Sequence, residues 1–273
     1  MGRKPNPMEK RAGSGEWLTD HVYYFTHQIV NVFFILDEHD PDTWVIVDAG
    51  MPRSASRIIR EAANVFGKDA EPSALFLTHG HFDHTGGIKE LVERWQMPVF
   101  AHREELPYVL NQRPYPAPDP TVQGGLIAKA SRFFPRYSYM PPQGAKALPE
   151  DGSVPYLDDW RVIHTPGHTP GHVSFYHGLS RTLIAGDAVC TVKQDRLLDV
   201  VTQDQHVTVP PVYFTPDWEE AERSLKRLAE LSVHHLGAGH GTALHGCTVS
   251  KAIRNLSDHF QEECPKKGRY LPR

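Results

Sequence analysis

The chain has too few cysteines for a covalent framework. Cys190, Cys247 and Cys264 are its only three, an odd number with no C-x-x-C pair, which argues against both a disulfide scaffold and a thiolate zinc site and fits a reducing cytoplasm. Charge of one sign is also lacking. Twenty-nine Lys and Arg face 33 Asp and Glu, a net of -4, so there is no electrostatic reason to expect nucleic acid or an anionic membrane as partner. Long apolar runs are missing, and the longest, Val32 to Leu36, reads as a strand and is far short of the roughly 18 residues needed to cross a bilayer. Residues 1–16 are basic and contain Pro and Gly without an apolar core, so they are expected to be a disordered leader and not a secretory signal. Histidine is what the chain has in excess. Seventeen in 273 residues exceed what core-building needs, and imidazole is the commonest protein metal ligand.

Periodicity places these histidines. Val22 to Leu36 and Trp44 to Val47 read as paired strands, and residues 54–66 as a helix with Ser54 as N-cap and Gly67 past its end. Ala74 to Leu77 is a strand, and Ile88, Leu91, Val92 and Trp95 repeat at helical spacing before Pro98. Between them lies Thr-His-Gly-His-Phe-Asp-His, residues 78–84, in a strand-to-helix loop. Val99 to Ala101 continues as a strand, and residues 107–155, rich in Pro, Gly, Tyr and Phe, read as an insertion or lid. Strands resume at 160–163, 173–176 and 182–185, with a last one at 233–236. Helices are expected after Thr215-Pro216 and after Thr248. One domain over 17–264 with a mobile basic tail at 265–273 follows from this layout.

Two histidines at i and i+2 beyond a strand can direct both rings to one side, while Asp83 and His84 turn into the next helix beside a second ion. Four ligands in one loop do not complete two ions. Three further candidates follow apolar β-runs with glycine neighbours: His168 or His172 in the tandem Thr-Pro-Gly-His, Asp187 in Leu-Ile-Ala-Gly-Asp, and His240 in Gly-Ala-Gly-His-Gly. Spacing alone leaves His168 and His172 equal. His164, His234 and His235 are assigned structural or supporting roles.

In order and kind these residues resemble the metallo-β-lactamase fold superfamily across roughly residues 20 to 260. The resemblance implies an α/β fold, a four-layer αββα sandwich with the Pro- and aromatic-rich segment inserted. It takes His168 from the tandem. His79, His81 and His168 would hold one ion, Asp83, His84 and His240 the other, and Asp187 would bridge them. Two divalent ions are implied, zinc before iron or manganese. A metal-bridging hydroxide would attack an ester, lactone or thioester carbonyl, with Asp83 as the catalytic carboxylate.

Bridging Asp187 argues against true β-lactamases of this fold, and the short chain after His240 against glyoxalase II enzymes, which carry a longer helical C-terminal domain. The chain is similar in size and motif to the acyl-homoserine lactonases, which usually place Tyr three residues after the bridging Asp; Cys190 stands there instead. The alternatives are a mononuclear-iron persulfide dioxygenase and a catalytically silent metal-binding member. His21, Tyr23 and Phe25, with Cys190, are the candidate substrate-pocket residues. The expected partner is a small molecule, and a homodimer is compatible with the composition.

Overall fold

The computed structural model describes residues 15–122, 125–141, 144–192, 206–265 and 268–270. Of the expected leader, residues 1–14 lie outside the described residues. Glu16 does not belong to a disordered leader: β1 (Glu16–Trp17) pairs Glu16 with Tyr24.

Two sheets form the centre. The first runs in the order β1, β2 (Val22–His27), β3 (Val30–Leu36), β4 (Trp44–Val47), β5 (Ala74–Phe76), β6 (Val99–Ala101) and β7 (Lys146–Ala147). Its first four strands are antiparallel and β4 to β7 are parallel. The second sheet comprises β8 (Ser153–Val154), β9 (Leu157–His164), β10 (Val173–His177), β11 (Thr182–Ile184), β12 (His235–Gly237) and β13 (Leu244–His245) in the order β13-β12-β11-β10-β9-β8. The last strand expected at 233–236 starts two residues later, because His234 and His235 both donate their N–H to Arg181 O in the turn before β11.

Strand alternation explains the layers. Phe33 and Ile35 of β3, Val45 and Val47 of β4, and Phe76 face Trp160, Val173, Phe175 and Ile184 of the opposing sheet. Val32, Phe34, Trp44 and Ile46 point the other way, onto the helices α1 (Ala55–Phe66) and α3 (Ile88–Trp95), which present Ile58, Ala62, Leu91 and Trp95, the short α2 (Phe82–Thr85) lying between them in the chain. The second sheet buries Leu183 and Leu236 against α6 (Trp218–Ala229) and α7 (Val249–Asp258) through Ala221, Leu225, Ile253 and Leu256. The result is an αββα sandwich in which each fully buried Phe, Leu or Ile contributes about 1.5–3 kcal/mol.

Ser54 stands at the N-cap of α1 but makes no side-chain capping bond, and α6, expected after Thr215-Pro216, begins at Trp218 with the Asp217 carboxylate accepting from Glu220 N. A carboxylate is a stronger acceptor for the free N–H groups of a helix start than a neutral hydroxyl. The 107–155 segment carries α4 (Leu106–Val109) at its entry, α5 (Gly125–Ala130), a 3-10 turn at Ser131–Phe133, β7 and β8. Within the tail expected to be mobile, Arg269 N–H donates to Asp119 and Tyr270 OH to Ala117 O, tying it to the insertion. Among the described residues no helix is long and apolar enough to cross a membrane.

Candidate metal centre

The loops that leave the carboxyl ends of β4, β5, β9 and β11 and the carboxyl end of β12 converge at one end of the sandwich, the general location of sites on open α/β sheets. They bring Asp83, Asp187 and five histidines together: His79, His81, His84, His168 and His240. One donor atom from each of His79, His81 and His168 lies within 4.8 Å of the others, and the same holds for Asp83, His84 and His240. Asp187 lies between the two groups. Its Oδ2 is 3.5 Å from His168 Nε2 and 3.2 Å from His240 Nε2, and its Oδ1 is 3.5 Å from His84 Nε2.

The surrounding hydrogen bonds orient these rings. Asp48 Oδ2 stands 2.8 Å from His84 Nδ1 and accepts the hydroxyl proton of Thr78, while Asp48 Oδ1 accepts Thr78 N–H. Thr78 Oγ1, having given its proton to Asp48, accepts from His79 Nδ1 at 3.1 Å. His240 Nδ1 donates to Ile29 O, and Thr215 Oγ1, which donates to Pro211 O, lies 3.4 Å from His168 Nδ1. With those protons outward, His79 Nε2 and His168 Nε2 face each other as lone pairs at 3.2 Å, and His81 Nδ1 lies 3.0 Å from His168 Nε2. Carboxylates and carbonyls behind ligand imidazoles are how metal sites fix the tautomer.

The donor set fits divalent cations. Among the described residues Asp83 Oδ1, His84 Nε2 and Asp187 Oδ1 are buried without a hydrogen-bond partner, an arrangement that costs about 1–3 kcal/mol per group unless something else satisfies it. A Cβ at Gly239 would overlap Asp187 Oδ1, so only glycine lets the backbone pass behind that carboxylate. Burial, then the charge of neighbouring imidazoles, holds His79 and His168 well below the usual histidine range, and burial brings His81 down to about 3. Neutral imidazole is the ligand form. Burial opposes ionisation of Asp187, but His240 and His84 hold its carboxyl well below the usual range. Burial likewise disfavours charge on His84, which Asp48 and Asp187 nevertheless raise.

Of the tandem Thr-Pro-Gly-His, His168 joins the cluster and His172 does not. His172 Nε2 accepts the Asp187 N–H at 2.9 Å and its Nδ1 lies 2.8 Å from Thr165 Oγ1, so it holds the strand end that carries Asp187. Three candidate pocket residues lie elsewhere, which is a correction. Tyr23 and Phe25 are 1% exposed and pack with Phe34 and Ile58 beneath α1, Tyr23 OH donating to Glu61. His21 precedes β2 and its carbonyl accepts from Leu36 N–H, at the far end of the sheet. A strand buried on both faces has aromatics on each, and alternation does not say which face meets a ligand. Cys190 is fully buried three residues beyond Asp187, its thiol pushed well up by burial and by the charges of Asp187 and Asp83. Aromatics do line the cluster: Tyr115 of the insertion and Phe214 lie with ring centroids 4.5 and 4.6 Å from that of His81.

Two residues not singled out from sequence organise the centre. Asp48, at φ 64°, occupies the left-handed region that a non-glycine adopts only where its surroundings hold it there. Glu105 is fully buried and receives Gly80 N–H at 3.0 Å and Tyr115 OH at 2.5 Å on Oε1, and Thr169 OH at 2.9 Å and Gly171 N–H at 2.8 Å on Oε2. It joins the loop of His79 and His81, the loop of His168 and the insertion. Burial pushes its carboxyl up while the four donated hydrogen bonds pull it back.

Comparison with known proteins bears on this centre. The family model of the metallo-beta-lactamase superfamily matches residues 26–240. The probable metallo-hydrolase YflN of Bacillus subtilis (strain 168) is 48% identical over 92% of this chain and 95% of its own. Hydroxyacylglutathione hydrolase GloC of Haemophilus influenzae is 26% identical over 55% of this chain and 63% of its own. Among solved structures, TTHA1623 in a di-iron-bound form is similar with a TM-score of 0.52 at 25% identity, covering 81% of this chain and 92% of that one.

Proposed function

The chain belongs to the metallo-beta-lactamase superfamily, and from that premise we propose that it is a dinuclear metal-dependent hydrolase cleaving an ester, lactone or thioester. The observation that carries the reading is Asp187, placed within 3.2 to 3.5 Å of histidines from both donor groups. His79, His81 and His168 would hold one ion and Asp83, His84 and His240 the other, with Asp187 reaching both. Two divalent ions supply, when bound, an activated water at neutral pH and polarisation of the carbonyl oxygen.

The chain's own residues do the rest. Among the described residues Asp83 Oδ1 has no hydrogen-bond partner, and burial raises the Asp83 carboxyl, which suits it to take a proton from the attacking water and pass it to the leaving group. Tyr115, Phe214 and Phe134 form an aromatic wall beside His81 and Phe82 that excludes bulk water and gives the acyl portion an apolar surface. The complete second donor group weighs against a mononuclear iron dioxygenase and against a silent member of the fold. Zinc suits the imidazole-rich set; the di-iron form of TTHA1623 keeps iron as the second choice. A hydroxyacylglutathione, the substrate in the name of GloC, is a thioester, which places thioesters beside lactones in the first assays.

The test is metal analysis of the purified chain together with turnover of lactones, thioesters, aryl esters and phosphoesters, using His81→Ala as control. The expected result is at least two ions per chain and carbonyl-ester turnover that chelation and His81→Ala both abolish. Turnover that survives metal removal would refute the reading.

A further inference from the structure

At the opposite end of the sandwich two carboxylates meet a histidine with one ring nitrogen unpartnered. β10 leaves the metal centre at Val173, whose N–H donates to Thr78 O, and reaches His177 about 13 Å further along the strand. β3 ends on that same side, and the turn into β4 carries Glu38 and His39. The register pairs His177 with Trp160, which sets Asp159 of β9 beside it.

His177 is 1% exposed and its ring stacks on Trp160 at 5.3 Å. Its Nδ1 lies 2.7 Å from Ser180 Oγ, which is 2.7 Å from Thr182 Oγ1, and Ser180 N–H also reaches Nδ1 at 3.4 Å, so Nδ1 is fully engaged and Nε2 is the ring nitrogen left over. Among the described residues Nε2 is buried without a hydrogen-bond partner, and Glu38 Oε1 lies 3.8 Å from it. One donor atom from each of Glu38, Asp159 and His177 lies within 4.8 Å of the others. His39 Nε2 sits 2.7 Å from Asp159 Oδ2, and its ring is mostly exposed and able to turn.

We propose that Glu38, Asp159 and His177, with His39 as fourth ligand, form a further metal site that takes Zn2+ and clips the β3–β4 turn of one sheet to β9 and β10 of the other. The chemistry favours it on three counts. A buried imidazole nitrogen left unpaired carries an uncompensated desolvation cost, and coordination removes it. Two carboxylates brought this close repel, and a divalent cation between them reverses the sign. Two imidazoles and two carboxylates are a donor set for four-coordinate zinc, and the hydroxyl behind His177 Nδ1 is the supporting contact such ligands have. Its position spanning both sheets makes the ion a staple, with no part in the hydrolysis.

The experiment uses the full chain, stripped of metal and re-equilibrated with Zn2+, comparing wild type with Glu38→Gln and Asp159→Asn. Both side chains are partly exposed, so both variants are expected to fold and to keep the wild-type hydrolytic activity. Elemental analysis should show each variant holding about one zinc ion per chain fewer than wild type. Diffraction from zinc-loaded wild-type crystals at the zinc edge should place an anomalous peak among Glu38, Asp159 and His177, and added zinc should raise the melting temperature of wild type more than that of either variant. Equal zinc content in wild type and variants, or zinc located only at the first centre, overturns the proposal.

Discussion

Replacing Glu105 with glutamine tests whether one buried carboxylate fastens the two halves of the metal centre. Glu105 accepts four hydrogen bonds, a backbone N–H and a hydroxyl on each oxygen. Glutamine keeps one acceptor oxygen and turns the other into an amide N–H donor. The hydroxyl on the amide side, whether Tyr115 or Thr169, can rotate and become the acceptor. The backbone N–H beside it, of Gly80 or Gly171, cannot. One buried donor is then left facing another, at a cost of about 1–3 kcal/mol, which in a chain of this size lowers the melting temperature by roughly 2–12 °C. Leucine would strand all four donors and should cost at least twice as much. Because Gly80 separates His79 from His81 and Thr169 follows His168, the slackened loops should also weaken metal retention by about 10–100-fold, the effect of losing a supporting contact. Thermal unfolding gives the first quantity and competition with a chromogenic chelator the second. A Glu105→Gln protein that melts with wild type, or a Glu105→Leu protein no worse than Glu105→Gln, would refute the clamp.

Gly239→Ala should leave the fold intact but displace Asp187, so metal content should fall with little change in circular dichroism; full metal occupancy in that variant would show that the Asp187 backbone gives way. Asp48→Ala removes the acceptor behind His84 Nδ1 and two acceptors for Thr78, and should cost about 2–4 kcal/mol of stability together with most of the metal held by Asp83, His84 and His240, read by elemental analysis. Tyr23→Phe loses the hydrogen bonds Tyr23 makes with Glu61 and Gly15, so about 0.5–3 kcal/mol of stability should go while kcat/KM stays at the wild-type value; a changed kcat/KM would return Tyr23 to the substrate site.

Much of this architecture was legible because its signals are local. Ile88, Leu91, Val92 and Trp95 mark a helix by spacing alone, and the structure puts α3 over Ile88–Trp95. Residues 78–84 concentrate donor side chains in one loop, and that loop is where the first donors stand. The tandem Thr-Pro-Gly-His defeats local reading, since both histidines have the same neighbours and only the path of the chain decides which one reaches His81. Glu105 escaped notice for the same reason. In His-Arg-Glu-Glu it reads as one more surface charge, and its four donors come from residues between 10 and 66 positions away. Asp48 directly follows the strand Trp44–Val47, but its work depends on Thr78 and His84, thirty and thirty-six residues on. Tyr23 and Phe25 were misplaced because both faces of β2 are buried, and a pattern of aromatics cannot report which layer it enters.

The supporting hydrogen bonds explain why metal and stability should be tied together in this chain. Asp48, Thr78, Ile29 and Thr215 engage the outer nitrogens of His84, His79, His240 and His168, so the inner nitrogens point at one another whether or not an ion is present. Without a cation the protein holds imidazole lone pairs about 3 Å apart and three orphaned buried polar atoms. An ion that binds only the folded chain stabilises it by RT ln(1 + [L]/Kd), about 4 kcal/mol when free metal is a thousand times Kd. The melting temperature should then rise by roughly 8–16 °C between chelated and metal-loaded protein. Differential scanning calorimetry over a zinc titration measures this directly, and the Gly239→Ala protein should show a smaller rise than wild type. Identical melting curves for chelated and loaded wild type would mean that the donor cluster is satisfied without metal, and the assignment of His79, His81, His84, His168 and His240 as ligands would fall with it.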